Sequence, residues 1–321
     1  MCKLYIVMYH YVRKPQREYK FLEGIKGLNI EQFKEQLDFF EKNFNIITME
    51  ELIYSYENKT YGLPQNSLLL TFDDGYIDHY KYVYPILSKK KIQGSFFVPA
   101  EVLEQKKLLE VNKIHYLLAT GKEDTIYKFI LDCIKEYNRN SINKLNTDYL
   151  ISQYAIASRF DNAQTIFIKR MLQTVLPKEL RTKITKELLE RILDIDETTL
   201  SELTYVNKEQ LREMKEHNMH IGLHGYQHEW LGNVDNSLMK TDFDRAYEIL
   251  KEFIDEDTLT INYPYGSYND KVVNYAKLKG CKLGFTTEVR VADLKKDNRL
   301  LLPRLDCNDF PPKSNNYIVI P

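Results

Sequence analysis

The sequence predicts an α/β protein whose strands and helices form a barrel that is interrupted by a mostly helical insertion. Residues 1–100 and 204–321 alternate short β-rich runs with segments of helical periodicity, which is typical of parallel strands joined by crossover helices. Residues 101–203 differ, because they contain one glycine and one proline, Gly121 and Pro177, and repeat apolar residues at helical spacing. Without this insertion about 220 residues remain, enough for about eight β–α-like units, which suits a barrel better than a small open sheet.

The predicted elements follow one another in the order that a barrel requires. In residues 1–100 the strands are Lys3–Met8, Phe44–Thr48, Ser67–Phe72 and Gln93–Val98, and the helices are Ile30–Asn43, Met49–Glu57 and Tyr80–Lys90. In residues 204–321 the strands are His220–Leu223, Leu259–Tyr263, Leu283–Thr286 and Leu300–Leu305, and the helices are Lys208–Glu216, Thr241–Ile254 and Tyr268–Lys279.

Helical periodicity in the insertion is clearest in two groups of apolar residues. They are Ile126, Phe129, Ile130, Cys133, Ile134 and Tyr137, and then Leu180, Ile184, Leu188, Leu189 and Ile192. This spacing predicts helices that bury one face. Whether the insertion forms a lid over one end of the barrel or an interface between two copies of the chain is left open by the sequence.

Composition and charge argue against several classes of protein. Lys and Arg total 45 against 46 Asp and Glu, a formal net charge of −1, whereas nucleic-acid binders that rely on phosphate contacts carry a basic excess. No apolar run approaches the ~20 residues that span a bilayer. The four cysteines are widely separated and show no CxxC spacing, which argues against a zinc–thiolate site and against a disulfide framework. The oligomeric state is not predicted.

The N-terminal segment Met1–Val12 is rich in tyrosine and has no cleavage site of small residues. We interpret it as a first strand and not as a signal peptide, so the expected location is the cytoplasm. A chain from which a leader had been removed would have the same sequence and would act outside the cytoplasm.

Two adjacent carboxylates follow the predicted strand Ser67–Phe72, in the segment Thr71-Phe72-Asp73-Asp74-Gly75-Tyr76. Gly75 permits a tight turn, and the carboxyl ends of parallel strands are where α/β folds bind ligands. Neighbouring carboxylates repel each other, so the pair favours a bound cation or two well separated pKa values. The tripeptide by itself is more often a solvated turn.

Two further motifs follow predicted strands. His224 and His228 are four residues apart and would share one face if a helical turn began there, as chelation requires; alone, the pair is more often a coincidence. Tyr263-Pro264-Tyr265-Gly266 alone is typical of a turn. Together, one end of the barrel would gather all three motifs. One or both Asp with two His then make a three-ligand site with open positions, as a catalytic metal needs.

These motifs, in this order, resemble the polysaccharide deacetylase family (carbohydrate esterase family 4, the NodB homology domain). The resemblance runs through Leu69–Ala100, resumes at Leu203–Leu231 and continues through Pro264–Asn269. It implies a distorted (β/α)7 barrel formed by residues 1–100 and 204–321. It also implies Asp73 as general base, a metal held by Asp74, His224 and His228, and a backbone N–H of Tyr265 for the oxyanion.

Two positions depart from the family pattern. Asn262 stands where the family usually has an Arg that orients the base, and Arg304 is the candidate substitute. The usual late His, the general acid, is absent because no His follows His228. The segment Met8-Tyr9-His10-Tyr11-Val12 resembles the start of the branch of biofilm poly-N-acetylglucosamine deacetylases, which implies His10 as the acid. A structural, hydrogen-bonded His is the alternative for His10.

The expected function is metal-dependent removal of an N-acetyl group from an N-acetylated sugar or polysaccharide, by water that Asp73 deprotonates and the metal activates. Zn²⁺ is the expected metal, and Co²⁺, Ni²⁺ and Fe²⁺ also suit the ligands. In the cytoplasm the substrate would be a nucleotide-linked, lipid-linked or small sugar. The alternatives are an amidase for a non-sugar acetamide and a carbohydrate-binding member without activity. A non-haem iron oxygenase with the same three ligands is disfavoured by the alternating β and α pattern.

Overall fold

The computed structural model describes residues 3–14, 20–58, 62–159, 161–193 and 195–320. The chain forms two compact units. We call the first, Met1–Lys14, Gly27–Lys107 and Ser201–Pro321, the barrel unit, and the second, Pro15–Lys26 and Leu108–Leu200, the helical unit. The sequence-based borders of the insertion, residues 101 and 203, stay a prediction.

The strands of the barrel unit form one sheet in the order β7-β6-β5-β4-β3-β1-β8, with β2 paired to β3 and β9 to β1. They are β1 (Lys3–Tyr9), β2 (Asn45–Ile46), β3 (Ser67–Asp73), β4 (Ser95–Val98), β5 (His220–Leu223), β6 (Thr260–Asn262), β7 (Leu283–Phe285), β8 (Ala292–Asp293) and β9 (Leu305–Asp306). All pairs are parallel except β1 with β8.

The segment 299–306 links β7, at one end of this row of strands, with β1, the strand next to the other end. Its backbone bonds to β7 through Gly284 and Thr286, and its end, β9, pairs with Val7 and Met8 of β1. The row therefore curls into a distorted barrel, as expected. Its interior is filled by buried apolar residues from β1, β3, β4, β7 and the linking segment, among them Ile6, Leu69, Phe97, Phe285 and Leu302.

Strand β3 is buried along its whole length, which explains its apolar sequence, since a central parallel strand is covered on both faces. Phe72 of β3 stacks on Tyr9 of β1 and on Phe96 of β4, with ring centroids 4.9 and 4.8 Å apart. This packing sets β3 in place, and Asp73 directly follows Phe72 at the carboxyl end of the strand.

Helices surround these strands in sequence order. The helices that lie wholly in the barrel unit are α1 (Ile30–Asn43), α2 (Met49–Glu57), α3 (Tyr84–Lys90), α10 (Lys208–Glu216), α11 (Asn236–Leu250) and α12 (Asp270–Leu278). The helix α9 (Glu197–Thr204) crosses from the helical unit into the barrel unit. Among the described residues, no helix has both the length and the apolar character that crossing a bilayer requires.

The helical unit contains α4 (Glu110–Ala119), α5 (Glu123–Asn140), α6 (Thr147–Tyr154), α7 (Ala163–Arg170) and α8 (Lys178–Ile192). Its own core includes Ile126, Ile130 and Ile134 of α5 and Ile184 and Leu188 of α8. These are the residues whose spacing predicted helices, so the mostly helical character of the stretch is confirmed.

Four element predictions need correction. The strand predicted over Leu300–Leu305 does not form over most of its length. The Asn298 side chain accepts the N–H of Leu300 and forms a turn, so only Leu305–Asp306 is a strand. The helix expected from Tyr80 begins with a π-helical turn over His79–Val83 and becomes α-helical at Tyr84.

The helix expected at Thr241 begins earlier, at Asn236, because Asp235 accepts the N–H groups of Ser237 and Leu238 and caps it. The strand expected over Phe44–Thr48 shrinks to Asn45–Ile46. Cys133, Cys281 and Cys307 are buried and free, and Cys2 lies outside the described residues.

Candidate metal centre and active site

The candidate site lies at the carboxyl ends of β3, β5 and β6. Asp73 is the last residue of β3, His224 directly follows β5, and Tyr265 lies in the turn after β6. These strands run parallel in one row with β4 between β3 and β5, so their carboxyl ends meet at one edge of the barrel. The three motifs that the sequence analysis singled out therefore come together.

Three site residues have backbone conformations that L-amino acids rarely adopt. The angle φ is 74° at Asp74, 55° at His228 and 58° at Tyr265. These are half of the six non-glycine residues with positive φ in the described part of the chain. Each such conformation costs of order 1–3 kcal/mol and persists only where the surroundings impose it, typically at functional sites.

Asp74, His224 and His228 form a buried cluster of potential metal ligands. Each of the three residues offers one ligand atom, and these atoms lie within 4.8 Å of one another. Nε2 of each imidazole is 3.3 Å from Asp74 Oδ1. Within the described residues, Asp74 Oδ1 accepts no hydrogen bond although it is buried. Metal bonds of about 2.1 Å at tetrahedral angles separate ligand atoms by about 3.4 Å. The cluster therefore fits a divalent cation.

Neighbouring groups fix which atoms of the cluster face the common centre. Tyr76 donates its hydroxyl proton to Asp74 Oδ2 at 2.7 Å, which leaves Oδ1 for the cation. His224 Nδ1 lies 2.7 Å from the carbonyl oxygen of Asn262. Because a carbonyl only accepts, this bond places the proton on Nδ1 and leaves the Nε2 lone pair for a metal.

The segment between the two histidines is a loop, so the helical turn on which a shared face depended is not formed. Residues 224–228 form this loop, and Gly225 has φ 70°. Asp242 of α11 holds this loop by accepting the backbone N–H groups of Tyr226 and Gln227 at 2.8 and 2.9 Å. A Cβ at position 225 would lie 2.9 Å from Asp242 Oδ1, so the close approach needs glycine there. The imidazoles converge through loop geometry and not through helical spacing.

Asp73 is held by Arg304, which is 1% exposed. The guanidinium donates to both carboxylate oxygens, from Nη1 to Oδ1 at 2.9 Å and from Nη2 to Oδ2 at 2.8 Å. It also donates to Thr71 Oγ1, to Asn262 Oδ1 and to the Thr286 carbonyl, at 2.9–3.1 Å. Asn262, at the position where the resemblance expects Arg, thus helps to position Arg304.

These contacts set the charge states of the two carboxylates. Burial opposes ionisation of Asp73, but the Arg304 guanidinium outweighs it, so the pKa of Asp73 is lowered. Burial likewise opposes ionisation of Asp74, and the imidazoles of His224 and His228 outweigh it, so that pKa lies well below its usual range. Burial lowers the pKa of His228, against the attraction of Asp74. A neutral imidazole is the form that binds a metal.

His10 directly follows β1 and lies near Asp73. Its Nε2 is 3.9 Å from Asp73 Oδ2, and its side chain is 39% exposed. The buried His79 donates from Nε2 to the carbonyl oxygen of His10 at 2.7 Å and so holds the backbone there. His10 is the one sequence-predicted site residue that combines closeness to Asp73 with access to solvent.

Tyr265 lies beside the ligand cluster. Its ring meets that of His228 edge-on, with centroids 4.4 Å apart, and stacks on Trp230 at 4.4 Å with an angle of 10° between the planes. The structure thus brings all seven predicted site residues to one edge of the barrel; they are His10, Asp73, Asp74, His224, His228, Tyr265 and Arg304.

Sequence reasoning assigned no role to Tyr76, Trp230 or Asp242. Tyr76 follows the Asp-Asp-Gly motif directly, so its position was a usable signal, and Trp230 is the single tryptophan of the chain. Asp242 lies inside a helix eighteen residues after His224, and nothing in the local sequence distinguishes it from a solvated helical carboxylate.

Comparisons with known proteins show the family and the fold. The model of the family described as polysaccharide deacetylase matches residues 60–284. A putative polysaccharide deacetylase of Bacillus subtilis (strain 168), YxkH, is 26% identical over 84 residues, which are 26% of this chain and 30% of that relative.

Solved structures share the fold over nearly the whole chain. The Streptococcus pyogenes deacetylase PplD, in complex with acetate, is 19% identical with a TM-score of 0.60, covering 99% of this chain and 96% of its own. IcaB from Ammonifex degensii is 18% identical with a TM-score of 0.58, covering 98% and 95%. A de-N-acetylase from Aggregatibacter actinomycetemcomitans is 14% identical with a TM-score of 0.54, covering 98% and 99%.

Proposed function

This chain belongs to the polysaccharide deacetylase family, and we propose that it hydrolyses the N-acetyl group of an N-acetylated sugar to acetate and a free amine. The observation that carries the proposal is that two groups of residues lie next to each other at one edge of the barrel. One is a buried Asp-His-His cluster that fits a cation, and the other is the adjacent Asp73, which Arg304 clamps through both oxygens. A metal site alone serves many purposes, whereas a metal site with a positioned carboxylate is typical of hydrolysis.

Asp74, His224 and His228 would hold the metal, and Zn²⁺ is the proposed ion because two imidazoles and a carboxylate suit it. When bound, such an ion lowers the pKa of water and polarises a carbonyl group. The same ligands accept Co²⁺, Ni²⁺ and Fe²⁺, so the metal is to be assigned by loading the metal-free protein with each ion in turn.

Asp73 acts as the general base in this proposal. It accepts a proton from the water that attacks the acetamide carbon. Arg304 keeps the carboxylate ionised and fixes both of its oxygens, so that the base meets the water in one orientation. Asn262 and Thr71 accept further bonds from Arg304, which fixes the guanidinium in turn.

Tyr265 and His10 are proposed to stabilise the oxyanion and to protonate the leaving nitrogen, respectively. The positive φ of Tyr265 turns the backbone beside His228, and its N–H is proposed to donate to the oxyanion of the tetrahedral intermediate. His10 is proposed to give a proton to the departing nitrogen as the C–N bond breaks. Its closeness to Asp73 and its partial exposure support this role, because it can regain a proton from solvent.

We further propose that the protein acts in the cytoplasm, on a nucleotide-linked, lipid-linked or small N-acetylated sugar. Oligomers of N-acetylglucosamine belong in the same assay because they represent the polymers that act as substrates outside the cytoplasm. Fractionation of cells tests the location independently of the substrate.

The deciding experiment measures acetate release from these substrates by protein loaded with one metal at a time. Asp73→Asn is expected to retain bound metal and to lose turnover, whereas His224→Ala is expected to lose both. Tyr54→Leu, a substitution at an exposed residue of α2, is the matched control. Release that persists in Asp73→Asn would contradict its role as base. No release from any N-acetyl sugar by metal-loaded protein would favour a non-sugar acetamide or binding without catalysis.

A further inference from the structure

We propose that His79 is a positioning residue for the general acid: its ring holds the backbone at His10, so that the His10 side chain stays beside Asp73. The inference rests on the proposed function and deepens it, because it names a residue on which protonation of the leaving nitrogen depends. His79 should therefore matter for substrates whose leaving group needs a proton, and matter little for substrates whose leaving group needs none.

The sheet by itself brings His10 only as far as the level of Asp73. Strands β1 and β3 pair in parallel, and the last pair of their register is Tyr9 opposite Phe72. His10 and Asp73 are the next residues along the two chain segments. Because β1 ends at Tyr9, the ladder sets the two residues side by side, and other contacts must fix the peptide of His10.

The side chain of His79 supplies such a contact. Its Nε2 lies 2.7 Å from the carbonyl oxygen of His10, and because a carbonyl only accepts, Nε2 carries the proton. The buried Nδ1 of His79 has no hydrogen-bond partner among the described residues. Burial lowers the pKa of the ring to about 4, so at neutral pH the ring is neutral and donates its one N–H to His10.

The packing around His79 restricts the ring to this orientation. His79 is 1% exposed, and the rings of Phe72, Tyr76 and Phe96 surround it with centroids 5.6–5.7 Å away. His79 also opens the π-helical turn that precedes α3. Single turns of this kind are rare and occur frequently at functional sites. The donor that faces the His10 carbonyl is therefore in place before a substrate binds.

Two further contacts join the same parts of the chain. Arg13 Nε donates to Asp78 Oδ2 at 2.8 Å, and both side chains are buried. The Tyr11 ring stacks on that of Tyr76, with centroids 4.0 Å apart. The segment that follows β1 is thus fixed to the segment that follows β3, and the bond from His79 is the contact of this set that reaches the peptide of the candidate acid.

The choice of leaving group separates a role through the acid from a general one. When the C–N bond of an acetamide breaks, its electron pair goes to the nitrogen, which must receive a proton. The ester 4-nitrophenyl acetate instead releases 4-nitrophenolate, which is stable as an anion and needs no proton. Both reactions would use the metal and Asp73, whereas only the first would use His10.

The metal-loaded His79→Leu variant is expected to lower kcat for the trimer of N-acetylglucosamine about tenfold to a hundredfold, with KM almost unchanged, because a displacement of about 1 Å costs a catalytic group up to about a hundredfold. Its turnover of 4-nitrophenyl acetate should stay within about twofold of wild type. His79→Gln keeps an N–H donor near the position of Nε2 and should restore most of the loss. Tyr80→Phe, at the next residue of the same turn, is the matched control.

A double variant tests whether His79 acts through His10. Adding His79→Leu to His10→Ala should slow the reaction of the trimer no further, because the group that His79 positions is already absent. Equal losses for the two substrates in His79→Leu, or losses that multiply in the double variant, would mean that His79 only supports the fold, and would overturn the proposal.

Crystal structures of the variants decide the positioning independently of activity. The distance from His10 Nε2 to Asp73 Oδ2, 3.9 Å in the wild type, should lengthen by about 1 Å or more in His79→Leu and be kept in His79→Gln. An unchanged distance in His79→Leu would refute the proposal. If wild-type protein releases no acetate from N-acetyl sugars, the proposed function fails, and these structures still decide whether His79 positions His10. If His79→Leu releases acetate as fast as wild type, the further inference alone fails.

Discussion

Replacing Arg304 with methionine leaves the Asp73 carboxylate buried without the guanidinium that pairs with it. Arg304 is 1% exposed and Asp73 is 2% exposed, and two charge-assisted hydrogen bonds of 2.8–2.9 Å join them. Removing one partner of a buried ion pair costs about 3–5 kcal/mol, because the remaining charge stays out of water. We expect Arg304→Met to lower the free energy of unfolding of the metal-free protein by this amount.

A double-mutant cycle isolates the pair from the other bonds of Arg304. Urea unfolding at pH 7 is compared for wild type, Arg304→Met, Asp73→Asn and the double variant. The bonds to Thr71, Asn262 and Thr286 are lost in both backgrounds and cancel. Since the double variant leaves no unpaired charge, it should be more stable than additivity predicts by about 2–3 kcal/mol.

The matched control is Arg290→Met, which breaks a partly exposed pairing with Glu288 and Asp297. Surface pairs contribute about 0–1 kcal/mol, so this variant should unfold almost as wild type does. Additivity within about 0.5 kcal/mol in the Arg304 and Asp73 cycle would refute the reasoning, because it would mean that the two charges are not coupled.

Three further substitutions test the surroundings of the site. Tyr76→Phe removes the donor to Asp74 Oδ2 and should weaken metal binding about tenfold to a hundredfold, as measured by competition with a chelator. The control is Tyr80→Phe, which should leave the metal affinity unchanged because the Tyr80 hydroxyl donates to Glu213 and not to the cluster. Asp242→Ala removes the acceptor of two N–H groups in the ligand loop, so metal affinity should fall in the same titration; unchanged affinity would show that the loop keeps its conformation unaided. Burial lowers the pKa of His79 to about 4, so between pH 6.5 and 4 the unfolded chain binds a proton at His79 and the folded chain does not. The free energy of unfolding should therefore be constant above pH 6.5 with respect to His79 and should fall by about 3 kcal/mol as the pH is lowered toward 4. His79→Gln keeps a donor and should flatten this decline; an equal decline in both proteins would assign it to other groups.

Several elements were predictable from the sequence because their signals are local. The bounds of α1, α2 and α10 match the predictions residue for residue. Each of these helices begins with a capping box, in which the N-cap side chain and the third helical residue bond each other's backbone. Helix α11, with a simple cap at Asp235, was placed five residues late. The apolar run Leu300–Leu305 predicted a strand, but only Leu305–Asp306 forms one, because a turn at Asn298 interrupts the segment.

Some residues of the candidate site were likewise predictable from local patterns, and others were not. Asp73 and Asp74 could be selected because two carboxylates after a buried strand form a pattern within six residues, and the two histidines and Tyr265 follow predicted strands likewise. The resemblance to polysaccharide deacetylases directed attention to Arg304 and His10, since no local pattern marks either of them. The helical turn that would have placed His224 and His228 on one face does not form, because the backbone there is held by a distant acceptor, Asp242.

The sequence by itself determined which chemical groups are available at the carboxyl ends of the strands, because strand periodicity and turn residues are encoded by neighbours in the chain. Only the tertiary structure decided how those groups are paired. Arg304 meets Asp73 across 231 positions of sequence, His224 acquires its tautomer from the Asn262 carbonyl, and Trp230 meets Tyr265 through two joined loops. Such contacts depend on how parallel strands are ordered in the sheet, and no local pattern specifies that order.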